Sequence, residues 1–138
     1  MPAITSWMIE ERITYTQVYD DIHCAELAQY GCEIAKYIQA STSIVHHIID
    51  ATNIGAFPLH ISHYRAALNR LARADSGWVV VVSTHPLLNA ALDVIMNATG
   101  VRLHLAQTFD DALAFLSVVD DSLAAEPVPI YETIISQK

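Results

Sequence analysis

Trp78-Val79-Val80-Val81-Val82, followed by Ser83-Thr84-His85-Pro86, decides the fold. Five apolar residues without alternation describe a strand buried on both faces, which is the signature of a central strand in a parallel sheet. Pro86 suits the first turn of a helix. Leu88, Ala91, Leu92 and Ile95 give that helix its apolar stripe, and Gly100 closes it. Val101 to Ala106 reads as the next strand. Thr108-Phe109-Asp110-Asp111 then has the hydroxyl-x-x-acid pattern of a helix start, with Phe109, Ala112, Leu113 and Leu116 on the apolar face.

The same alternation extends toward the N-terminus. Asp75-Ser76-Gly77 stops a helix that begins at Pro58 and carries Ile61, Tyr64, Leu68 and Leu71, with glycine in a C-capping role. Ile44 to Ile49 is an apolar strand ending at Asp50, and Ala51 to Phe57 reads as a loop. From His23 to Ala40, Leu27, Gly31, Ile34 and Ile38 recur at helical spacing, with Asp20-Asp21 placed to cap that helix. Ser6–Ile9 and Ile13–Tyr19 form a hairpin around Glu10-Glu11-Arg12; Ile13, Tyr15, Gln17 and Tyr19 share one face, Thr14, Thr16 and Val18 the other. The order β-β-α-β-α-β-α-β-α predicts an α/β domain with a mostly parallel sheet, an N-terminal antiparallel hairpin and about four helices.

This domain is expected to span residues 1–121. Residues 122–138 form a tail: Ala124 to Pro129 reads as a linker and Ile130 to Ile135 as a short strand that pairs with an edge of a neighbouring subunit, or as part of a mobile end.

Composition narrows the function. The chain has 138 residues, 53% hydrophobic and 16% charged, which excludes wholesale disorder. Such low charge suggests apolar surface covered by another subunit, so a homodimer is expected. The net charge of −8 and the lack of a basic stripe argue against nucleic acid and anionic membrane; Arg65, Arg70 and Arg73 share a segment, but no aromatic residues interleave with them. No unbroken apolar run exceeds the length of Trp78 to Val82, far short of a membrane span. The N-terminal segment lacks the pattern of a signal peptide. Cys24 and Cys32 lie about 12 Å apart along one helix, too far to pair with each other. Free thiols fit a reducing compartment, and a cytoplasmic location is expected.

Ile48-Ile49-Asp50-Ala51-Thr52-Asn53-Ile54-Gly55-Ala56-Phe57, with the element order around it, resembles the strand and loop of STAS domains, the anti-sigma-factor antagonists of SpoIIAA-like fold. The resemblance covers about residues 6 to 119 and implies a SpoIIAA-like fold and a protein-interaction role in a bacterial-type regulatory pathway. In that family the next helix begins at Asp-Ser-Ser-Gly, whose second serine is phosphorylated. Aligned without gaps from Asp50, those four residues fall on Pro58, Leu59, His60 and Ile61, with His60 at the phosphoacceptor position. The resemblance therefore implies a relative without the phosphorylation switch, in which only Ser62 or Thr52 offers a substitute hydroxyl.

Binding sites of parallel sheets gather at the carboxyl ends of the strands. One such end carries Asp50, Thr52 and Asn53 and leads to His60 and His63; the other carries Ser83, Thr84 and His85. On neighbouring strands these residues would share a rim able to take a regulatory protein partner or, alternatively, a small anion, nucleotide or metal. His60 and His63 fall on one helix face, with Asp50 or His85 available beside them, but no stronger metal motif accompanies the spacing, and neither a metal nor a cofactor is expected. His46 and His47 are adjacent on a strand and point to opposite faces; His23 and His104 read as structural or surface residues. Ser83 and His85 lack a nucleophile-elbow motif, and the four glycines form no phosphate loop, so no enzymatic activity is expected.

Overall fold

The computed structural model describes residues 3–9, 12–41, 44–58, 64, 76–99, 101–120 and 123. They form β1 (Ala3–Ile9), β2 (Ile13–Asp20), α1 (Cys24–Ala40), β3 (Val45–Ile54), β4 (Ser76–Val82), α2 (Pro86–Thr99), β5 (Leu103–Ala106) and α3 (Phe109–Val119). Of the helix expected over Pro58 to Ala74, Pro58 is described and is not helical, Tyr64 is described and is helical, and the rest lies outside the described residues.

The five strands lie in chain order, β1-β2-β3-β4-β5. β1 pairs antiparallel with β2, and every later neighbour is parallel. A sheet that advances by one strand at each right-handed crossover places its crossover helices on one face. Accordingly Ile34 and Ile38 of α1 and Leu88, Leu92 and Ile95 of α2 pack with Val79, Val81 and Leu103. α3 covers the opposite face through Phe109, Ala112 and Leu116 against Tyr15, Ile48, Val80 and Val82. Val79 to Val82 divide between the two clusters, as a strand buried on both sides must.

Local chemistry departs from expectation at three places. The cap of α1 is His23, whose NH donates to Glu26 Oε1 at 2.9 Å, and not Asp20-Asp21. Asp20 ends β2 with φ at +60°, a conformation its short polar side chain tolerates. Asp21 Oδ1 accepts the Ala56 NH at 2.8 Å. Residues Ala51 to Ile54, expected as loop, continue β3 because β2 is long enough to pair with them: Tyr19 lies opposite Asn53 and Asp20 opposite Ile54. Gly77 lies in β4 and caps no described helix.

That glycine makes room for His46. A Cβ at position 77 would run into the His46 ring and come within 2.9 Å of the Val45 carbonyl oxygen. The Trp78 NH donates to His46 Nδ1 at 2.9 Å, so neutral His46 carries its proton on Nε2 and donates it to Asp120 Oδ2 at 2.8 Å. The same oxygen accepts from Arg12 Nη2 at 2.9 Å. The end of α3 is thereby fastened to the β1–β2 turn and to β3. Cys24 and Cys32 are exposed and form no disulfide. Among the described residues no helix is long and apolar enough to cross a membrane.

Candidate functional site

The carboxyl ends of β3 and β4 are neighbours, with Asp50 opposite Val82. Asp50, Thr52 and Asn53 therefore stand beside Ser83, Thr84 and His85. His60, His63 and Ser62 lie outside the described residues.

Asp50 is buried at 2% exposure, and its carboxylate is engaged within the chain. Tyr15 Oη donates to Oδ2 at 2.6 Å; the Thr52 NH and Thr52 Oγ1 donate to Oδ1 at 3.1 and 2.7 Å. Three donors around one buried acid compensate the loss of water. The Tyr15 hydroxyl is held above its ordinary pKa, first by burial, then by its bond to Asp50 and the carboxylate's charge. Hairpin, strand and rim are thus tied together by one acid.

Ser83 is also buried and internally bonded. Its Oγ accepts the His85 NH at 3.0 Å, its NH donates to the Ala106 carbonyl at 2.9 Å, and its own carbonyl accepts from Asn89 Nδ2 at 3.3 Å. His85 is exposed and turns Nδ1 to the Leu88 NH at 3.4 Å, while its ring meets Phe57 edge-on at 5.3 Å. One first-turn NH of α2 that would face an anion is taken by the histidine itself. Thr52, Asn53, Thr84 and His85 are the solvent-facing members of the rim. Among the described residues, no three His, Cys, Asp or Glu side chains converge as a metal site would need.

α2 adds a feature that its buried stripe concealed. Its opposite face exposes Leu87, Ala90, Val94 and Ala98, at the spacing of one helix face, with Leu87 and Val94 each more than half exposed. This face starts beside Thr84 and His85 and continues the rim in apolar form. Reading Leu87 and Val94 against the buried Leu88, Leu92 and Ile95 would have flagged a helix apolar on both sides.

Sequence reasoning set His46 and His47 on opposite faces of a strand but did not foresee how deeply His47 is buried. It is fully buried, its Nδ1 lies 2.6 Å from Thr14 Oγ1, and its Nε2 has no hydrogen-bond partner. Burial, with a smaller contribution from His46, pulls its pKa down to about 3. It is a neutral core group on the α1 face, the opposite face from Asp50.

No family model matches the sequence, and no curated protein does. Solved structures do match. A protein of the DUF3478 family from Shewanella loihica PV-4, described as having a SpoIIAA-like fold, is 16% identical with a TM-score of 0.60, over 83% of this chain and 93% of that one. The anti-sigma factor antagonist SpoIIAA in its unphosphorylated form is 10% identical with a TM-score of 0.61, over 86% of this chain and 98% of that one. At such identities the likeness is one of architecture, and it agrees with the antiparallel β1–β2 pair, the parallel remainder and the helices on both faces. The chain has the SpoIIAA-like fold.

Proposed function

We propose that this chain is a non-catalytic, cytoplasmic, STAS-like interaction module of a bacterial-type regulatory pathway that works without the phosphorylation switch and assembles as a homodimer. The observation that carries the reading is the division of labour at the rim. The groups able to do chemistry, Asp50 and Ser83, hold the chain's own backbone and side chains. What faces outward is Thr84, His85 and the apolar row of Leu87, Ala90, Val94 and Ala98. An exposed apolar face beside polar residues is the anatomy of a protein-binding surface. With a net charge of −8, the partner is one that offers an apolar ridge with basic residues at its margin. The fold similarity to an anti-sigma factor antagonist supports the regulatory role. His60 at the position of the family's phosphorylated serine supports the absence of the switch.

The test compares what co-purifies with the tagged chain and with Leu87→Glu/Val94→Glu from cells that produce it. A stoichiometric partner retained by the first and lost from the second supports the reading. Equal retention by both would move the binding surface elsewhere.

A second reading, binding of a small uncharged molecule, has its own observation. A cavity of about 110 Å3 lies between α1, α2 and the sheet, with Val18, Ile34, Ile49, Val81 and Leu92 in its wall. The Tyr30 hydroxyl, from another lining residue, is buried without a hydrogen-bond partner. A cavity of roughly 150 Å3 holds a benzene. The described wall carries no ionised side chain, so this space suits an apolar molecule with one polar atom and not an anion, nucleotide or metal. Phenol should raise the unfolding temperature of the chain and do so less for Tyr30→Phe; no shift with either removes this reading.

A further inference from the structure

The exposed row of α2 fits its own reversal. Leu87, Ala90, Val94 and Ala98 follow one another along the helix as large, small, large, small. At 3.6 residues per turn they fall within an arc of about 80°, with Asp93 and Asn97 off to one side. Two α2 helices packed antiparallel about a two-fold axis near Leu92 and Asp93 would set Ala90 against the second copy's Val94, and Leu87 against its Ala98. Each large side chain then lies over a small one, as interdigitated helices require. A parallel pairing would set Leu87 on Leu87 and Ala90 on Ala90, bulk against bulk and gap against gap.

Charge selects the same face. Each copy carries a net charge of −8, so two copies repel wherever acids gather on the approaching surfaces. α1 carries Glu26, Glu33 and Lys36, and α3 opens on Asp110 and Asp111. α2 holds Asp93 as the one ionisable side chain among its 14 residues, and that side chain stands off the row. The reverse side of the helix is anchored in the core by Leu88, Leu92 and Ile95, so the row is presented on a fixed element.

We propose that a second copy of this chain occupies the α2 face through this antiparallel pairing, so that the homodimer and the regulatory partner compete for one surface. The proposal rests on the reading of that face as a protein-binding surface. A contact confined to one helix of about 21 Å falls short of the roughly 1,600 Å2 of a standard interface. The dimer is therefore weak, and a partner that also engages Thr84 and His85 displaces it.

Sedimentation equilibrium over a wide concentration range tests this in the full chain, in Ala90→Val, in Val94→Ala and in the double variant. Both positions are exposed, so the fold is not at stake. Ala90→Val sets valine against valine, and Val94→Ala leaves alanine over alanine. Each contact occurs twice in a two-fold dimer, so either single change should weaken association about tenfold. The double variant restores valine over alanine with the roles exchanged, and its association should return to within about threefold of the original. A monomer at every concentration overturns the proposal. So does a dimer of equal strength in all four chains, which places the interface elsewhere, and so does a double variant in which the two losses add. None of these outcomes decides whether the face receives a regulatory partner, which retention by Leu87→Glu/Val94→Glu reads separately.

Discussion

Tyr15 donates its hydroxyl to Asp50 at 2.6 Å, across the parallel pair of β2 and β3 and beneath the rim. The acid that marks the end of the strand in the sequence is therefore a brace between two strands. Tyr15→Phe leaves one carboxylate oxygen short of this donor in a buried site and should cost about 1–3 kcal/mol of unfolding free energy. Chemical denaturation measures it. A loss below about 0.5 kcal/mol would mean that Asp50 is solvated and open to ligands.

His47 makes stability pH-dependent with a definite sign. Its pKa of about 3 in the fold lies below the ordinary value of 6.5, so the unfolded chain binds the proton more readily. The stabilisation is fully present above about pH 6.5 and is lost as pH falls toward 3, at up to about 1.4 kcal/mol per pH unit from this group. His47→Leu should flatten that part of the profile. Denaturation midpoints taken from pH 7 to pH 4 decide the matter; parallel profiles for the two chains would show His47 protonating without penalty.

Gly77 is required by the His46 ring beside it. Gly77→Ala places a methyl group against that ring and the Val45 carbonyl and should destabilise the domain by about 1–3 kcal/mol through overpacking. Thermal unfolding of the variant provides the check, with an unchanged midpoint as the contrary result.

Much of this architecture was legible before any coordinates. The unbroken Val79–Val82 run announced a strand buried on both sides, and the alternation around it set the topology. Thr108 caps α3 as its motif implied, accepting the Asp111 NH at 3.1 Å. What was hidden depended on pairing across distance. Thr52, Asn53 and Gly55 have loop chemistry, and only the length of β2 reveals that β3 runs on to Ile54. Tyr15 reads as one more apolar face residue until β2 is known to lie beside β3. Asp20 and Asp21 are good capping types, but the Ala56 NH claims Asp21 and leaves the cap to His23. The strand ends that carry Asp50 and Ser83 are neighbours, as a shared rim requires; that these two residues are engaged within the chain follows only from the hydrogen bonds.

The central claim is that the face of α2 beside Thr84 and His85 receives a protein. A photo-crosslinking residue at position 87, in cells that produce the chain, tests it most directly, with the exposed position 39 on α1 as the control. The account predicts one discrete protein adduct from position 87, none from position 39, and loss of the adduct when Val94→Glu is added. No adduct from position 87, or the same adduct from both positions, would contradict it.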